Sequence, residues 1–144
     1  GEAEAKAAAP LVIKPETSEA MRYVMRLNAT KGSANKAAIP GFFVGGKTGT
    51  AEKVIGGRYS KNRLFTTFMA VAPADKPKYL FITLYDEPQP LPETFGFATS
   101  GWNAAVTTGA IVERVAPILG LPPRFEPPQN PFPLMTKLGA WGTR

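Results

Sequence analysis

The stretch Gly41–Thr50, GFFVGGKTGT, can be read in two ways that lead to different folds. Gly41, Gly46, Lys47 and Thr48 match G-x-x-x-x-G-K-[ST], the spacing of a phosphate-cradling loop. Such a loop works only between a strand and a helix, whose positive end faces the phosphates. Here Phe42, Phe43 and Val44 fill three of the four variable positions. Bulky apolar residues suit a chain entering a core, not a solvated cradle. Beyond Thr48 the chain reaches Gly56-Gly57 with no room for an amphipathic helix, and only Asp86 ends an apolar run with an acid. Nucleotide binding is therefore not expected, and 43–52 is predicted to be an edge strand.

The flanking sequence supplies its neighbours. Residues 64–72, LFTTFMAVA, and 79–85, YLFITLY, are β-branched and aromatic runs separated by the turn Pro73-Ala-Asp-Lys-Pro77. Ile55–Asn62 reads as a hairpin connection, so the strands should be antiparallel. Their nearly continuous apolar character predicts a sheet covered on both faces. Upstream, Pro15 suits a first helical turn, and Ala20, Tyr23, Val24 and Leu27 recur at helical spacing. Met21 and Met25 widen that stripe and are expected to pack in the core. Downstream, Thr99 or Ser100 should cap a second helix whose stripe is Trp102, Ala105, Val106, Gly109, Val112 and Ala116. The predicted class is α+β, with three antiparallel strands (43–53, 64–73, 79–86) flanked by helices at 15–30 and 100–117. Residues 1–10 read as a flexible loop and 11–120 as the folded part. The Pro-rich tail 121–144 should be extended or disordered, with Phe125, Phe132, Leu134 and Trp141 pinning parts of it.

Composition narrows the chemistry. The chain has no cysteine and no histidine, which removes thiolate metal sites and the commonest general base. No metal or other cofactor is expected. The net charge is +6, but the basic residues are scattered and form no nucleic-acid arm. The apolar runs fall far short of the ~20 residues of a membrane helix, and GEAEAKAAAP lacks the apolar core of a signal peptide.

An edge strand offers unpaired N–H and C=O groups to an extended peptide, and Gly49 removes a side chain that would obstruct its approach. Lys47 adds positive charge, and Thr48 and Thr50 add hydroxyl donors. Together they suit a short peptide ending in a carboxylate.

GGKTGTAEKV, GRYSKNR and FMAVAPADKPKYLFITLYDEPQ resemble, in order and spacing, the C-terminal part of the transpeptidase domain of class B penicillin-binding proteins, most closely the cell-division type. ETSEAMRYVMRLNATKGSA and GWNAAVTTGAIVERVAPILG also fit, so the resemblance covers roughly 11–120. It implies the C-terminal half of a β-lactamase-like fold. The activity implied is that of a peptidoglycan D,D-transpeptidase at the periplasmic face of the bacterial inner membrane. Lys47 would be catalytic, polarising the site and attracting the substrate carboxylate. Thr48 and Thr50 would bind that carboxylate beside Gly49, and the Thr50 N–H would form half of an oxyanion hole. The implied partners are the D-Ala-D-Ala stem peptide, β-lactams, the N-terminal half of the same domain and divisome proteins. The alternative is a non-catalytic binding module of the cell-wall machinery.

The family's other signatures, S-x-x-K and S-x-N, have matches at Ser33-Ala-Asn-Lys36 and at Ser33-Ala-Asn35 or Ser60-Lys-Asn62. None is expected to function. The nucleophile must open a helix so that a lysine one turn later reaches it. Ser33 instead follows the helix-ending Gly32, and Pro40-Gly41 comes soon after. The serine is expected on a segment outside this chain, leaving the fragment inactive alone.

Overall fold

The computed structural model describes residues 1–126 and 128–135. Its principal elements are α1 (Glu2–Ala8), α2 (Pro15–Lys31), β1 (Gly45–Ile55), β2 (Arg58–Ala72), β3 (Tyr79–Asp86) and α3 (Ala104–Val115). The strands form one antiparallel sheet in the order β1-β2-β3, which is the predicted class. Gly56 and Gly57 have φ of +57° and +78°, the paired left-handed conformations that reverse a chain within two residues. The connection predicted over 55–62 thus shrinks to these glycines, and Arg58–Arg63 continues as strand.

Register sets which side chains share a face. Thr48 lies opposite Phe68 and Thr50 opposite Thr66, while Lys47 lies opposite Met69 and Gly49 opposite Thr67. On β2, Thr66, Phe68, Ala70 and Ala72 are buried, and α3 covers their face with Ala104, Ala105, Val112 and Ala116. Most of the other face is bare among the described residues: α2 lies only over its Gly45 end, while Leu80, Ile82 and Leu84 are 55–57% exposed, and Phe65 and Met69 are exposed too. The predicted two-sided cover is therefore complete on one side only.

The close fit of the covered side shows at Gly46. A Cβ there would overlap the Phe68 ring and lie 2.8 Å from the Met69 carbonyl oxygen. Because Phe68 is fully buried, its ring has nowhere to move. Gly46→Ala should cost about 1–3 kcal/mol. An unchanged urea midpoint would contradict this packing.

Both long helices depart from expectation in detail. Asn103, not Thr99 or Ser100, caps α3: its Oδ1 accepts from the Ala104 N–H at 2.6 Å and from the Thr66 hydroxyl at 3.0 Å. Ser100 is buried and donates its hydroxyl to the Thr67 carbonyl. Val106 is exposed, and Thr108 occupies the core stripe instead, donating to the Ala104 carbonyl. On α2, Met21 is 55% exposed and Val24 and Leu27 are also exposed, which corrects the assignment of that stripe to the core. The reason is polar. Arg22 donates to the carbonyls of Ala74 and Asp75, Arg26 to Val44 and Asn28 to Gly46. These bonds, capping otherwise unpaired backbone around the sheet's end, turn the apolar stripe outward.

Residues 2–8 form α1, not the expected loop; Ala, Glu and Lys are strong helix formers. In the tail, Phe132 is buried, with its ring edge-on to Tyr23 at 5.4 Å. Leu134 is half-buried, whereas Phe125 is 76% exposed and contributes no buried anchor. Trp141 lies outside the described residues.

Candidate functional site

β1 is an edge of the sheet, and the alternation of a strand sends consecutive side chains to opposite faces. Thr48 and Thr50 consequently share one side. They line a cleft of about 400 Å³ with Ser33, Asn35, Lys36, Thr99 and Trp102. Lys47 and Gly49 belong to the other face, so the structure brings only two of the four predicted residues into the cleft wall. Lys47 is exposed, and its Nζ donates to the Thr48 carbonyl at 2.6 Å, folded back along the strand.

Each threonine is held by a different neighbour. The Thr48 and Ser33 hydroxyls are 2.8 Å apart, and Ser33 also lies 3.3 Å from Asn28 Oδ1. The Thr50 hydroxyl accepts from the Ser100 N–H at 3.1 Å. That bond uses an oxygen lone pair and leaves the single O–H proton to donate elsewhere. The lining residues include the cation Lys36 and no carboxylate. Such a site can hold an anionic group with hydroxyl donors.

Gly49 has a structural reason of its own. A Cβ there would lie 2.5 Å from the Thr67 hydroxyl across the strand pair. Gly101 serves the opposite wall, since a Cβ would lie 2.6 Å from the Ser33 carbonyl oxygen. Close approach of these segments places Trp102 beside Ser33.

The short serine–lysine match has the wrong geometry for an activated nucleophile. Ser33 follows the end of α2, and Asn35–Ala37 is one turn of 3-10 helix. The Lys36 ammonium stands 4.1 Å above the Trp102 ring, a cation–π placement. Ser60 lies on β2 opposite Lys53, in the hairpin arm, with Lys61 and Asn62 beyond it; none of the three lines the cleft.

Sequence reasoning missed Thr99 and Trp102 as lining residues and gave Ser33 no place beside Thr48. Trp102 was legible only as a member of an apolar helical stripe. Its association with Lys36 joins residues 66 positions apart, which local periodicity does not register.

Residues 2–108 match the family described as the penicillin binding protein transpeptidase domain. The chain is 41% identical over 124 residues to the probable peptidoglycan D,D-transpeptidase FtsI of Caulobacter vibrioides, covering 80% of this chain and 21% of that protein. Among solved structures it is similar to the apo transpeptidase domain of Burkholderia pseudomallei penicillin-binding protein 3. The TM-score is 0.70 with 30% identity, over 82% of this chain and 34% of that one. It is also similar to penicillin-binding protein 3 of Mycobacterium tuberculosis complexed with aztreonam, with a TM-score of 0.65 and 25% identity over 81% and 27% of the two chains. The chain spans about a fifth of the length of the curated relatives it matches.

Proposed function

This chain belongs to the penicillin-binding protein transpeptidase family, and from that premise we propose that it is the carboxylate-binding wall of a septal peptidoglycan D,D-transpeptidase. The observation that carries this reading is the pair of threonine hydroxyls on a free strand edge, facing a cleft lined by a lysine and no acid. Thr50 donates its remaining proton to the C-terminal carboxylate of a D-Ala-D-Ala stem peptide. Ser33 gives its proton to Asn28 Oδ1 and so accepts from the Thr48 hydroxyl; Thr48 turns that proton to the carboxylate when the peptide binds. Lys47, on the opposite face of the strand with its Nζ on the Thr48 carbonyl, adds positive charge to the strand edge and draws the carboxylate toward it. Gly49 keeps the strand surface low between them, and the Thr50 N–H stabilises the developing oxyanion.

The nucleophilic serine and its lysine come from another segment of the same domain. β-Lactams carry an anionic group on or beside the lactam nitrogen, a carboxylate in penicillins and a sulfonate in aztreonam, and occupy the same wall; a relative similar to this chain is a complex with aztreonam. Residues 11–120 make up the domain portion, preceded by a separate segment at 1–10 and followed by a tail at 121–144. The missing half of the domain docks on the bare face of the sheet. The whole protein works at the periplasmic face of the inner membrane with other division proteins. No described helix is long and apolar enough to cross a membrane, so an anchor would lie in another segment.

Thr50→Val in the intact protein tests the wall. A charge-assisted hydrogen bond contributes about 1.5–3 kcal/mol, and each 1.4 kcal/mol is about a factor of ten in rate. Acylation by a fluorescent penicillin should slow about tenfold or more. Equal rates for variant and wild type would sink the carboxylate contact.

A further inference from the structure

The tail beyond α3 returns across the molecule and fastens at three places. The Arg124 guanidinium grips Asp75 with two bonds of 2.7 and 2.9 Å, and the Arg124 N–H donates to the Gly41 carbonyl at 2.7 Å. Phe132 is buried between Tyr23 on α2 and Phe43, whose ring centroids lie 5.4 and 6.2 Å away. Glu19, buried on α2, accepts from the N–H groups of Leu134 and Met135. Burial alone would raise the Asp75 carboxyl, yet the Arg124 pair outweighs it and holds it below the ordinary range. This fastening is therefore an ion pair at neutral pH.

These contacts converge on Phe43, which leads directly into the threonine-bearing strand. Arg26 stacks on its ring from α2, 4.4 Å from the centroid, while the Arg26 Nη1 donates to the Val44 carbonyl. Two residues further along α2, Asn28 holds the Gly46 carbonyl at 2.9 Å. Just past the end of that helix Ser33 meets Thr48. The placement of α2 against the entry to β1 thus sets the cleft wall, and the tail spans that junction.

We propose that residues 122–126 and 128–135 act as a positioning strap, in which Phe132 and Arg124 hold α2 and the Phe43 segment in the arrangement that aligns Thr48 and Thr50 for carboxylate binding. The strap touches no reacting atom. It acts by limiting how far α2 and β1 slide past each other, and this rests on the carboxylate-site reading above.

The test uses the intact protein, comparing wild type with Phe132→Ala, Phe132→Leu and Arg124→Gln. Two quantities are measured: the concentration dependence of acylation by a fluorescent penicillin, and hydrogen exchange of the amides at 43–50. Phe132→Ala should raise the half-saturating penicillin concentration about fivefold and change the limiting rate less than about twofold, because binding geometry and not the nucleophile is disturbed. Amides at 43–50 should exchange faster while those of α3 do not. Phe132→Leu, which keeps an apolar wedge, should recover most of the loss, and Arg124→Gln should shift acylation and exchange in the same direction as Phe132→Ala. Unchanged exchange at 43–50 in both Phe132→Ala and Arg124→Gln would overturn the strap, as would equal loss of protection throughout the domain. If the carboxylate reading is at fault instead, Thr50→Val leaves acylation at the wild-type rate while Phe132→Ala still loosens 43–50.

Discussion

Incubated with penicillin, the isolated 144-residue chain should keep its unmodified mass, whereas the intact protein should gain one penicilloyl group. A serine hydroxyl attacks a β-lactam only when a base within hydrogen-bond reach takes its proton. Ser33 is the serine placed beside the threonine cleft, and its polar neighbours are Asn28 Oδ1 and the Thr48 hydroxyl, neither of them a base. Lys36, the residue that the short motif would enlist, stands over the Trp102 ring instead. Ser100 is buried with its proton committed to the Thr67 carbonyl. The contrast is all or none, and intact-mass spectrometry reads it directly. An adduct on Ser33 would show that this chain carries its own nucleophile and would overturn the division of labour proposed here.

The second large effect concerns the uncovered face of the sheet. Phe65, Met69, Leu80, Ile82 and Leu84 lie side by side in the β2–β3 register, all exposed. Fully burying one such side chain is worth about 1.5–3 kcal/mol, so joint burial of five favours any partner of matching shape. The outer edge of β3 adds unpaired backbone groups that template further strand pairing. By light scattering the isolated chain should be a dimer or larger, and Ile82→Lys with Leu84→Glu should return it to monomer without disturbing α3. Addition of the remaining domain as a separate polypeptide should also disperse it. A wild-type chain that stays monomeric at high concentration would refute the role assigned to this face.

The strands were the legible part of the fold because their determinants are local. Val, Ile, Phe and Thr runs marked β2 and β3, and the glycine pair marked the turn. Where the sequence misled, a contact distant along the chain decided the outcome. The stripe of Met21, Val24 and Leu27 is genuinely periodic, but periodicity does not say which side of a helix meets the rest of the molecule. Carbonyls at Val44, Gly46, Ala74 and Asp75 recruited the polar side of α2 instead. Asn103 became the cap through a bond to Thr66, 37 residues away. For the site, strand alternation accounts for Thr48 and Thr50 sharing a side and for Lys47 and Gly49 facing away. The proximity of Ser33 to Thr48 depends on where α2 ends in space and left no local signal.

The two-glycine reversal between β1 and β2 also bears on the order in which the molecule assembles. A loop of two residues carries almost the smallest closure entropy a chain can have, and hairpins of this kind form in roughly 1–10 μs. β1 and β2 can therefore zip from Gly56-Gly57 toward Gly45 before any long-range contact is made. Facing pairs would appear in sequence, Val54 with Tyr59 early and Thr48 with Phe68 late. The threonines would thus be set on their strand at the outset, and α2, the strap and the other half of the domain would close around a binding edge already formed.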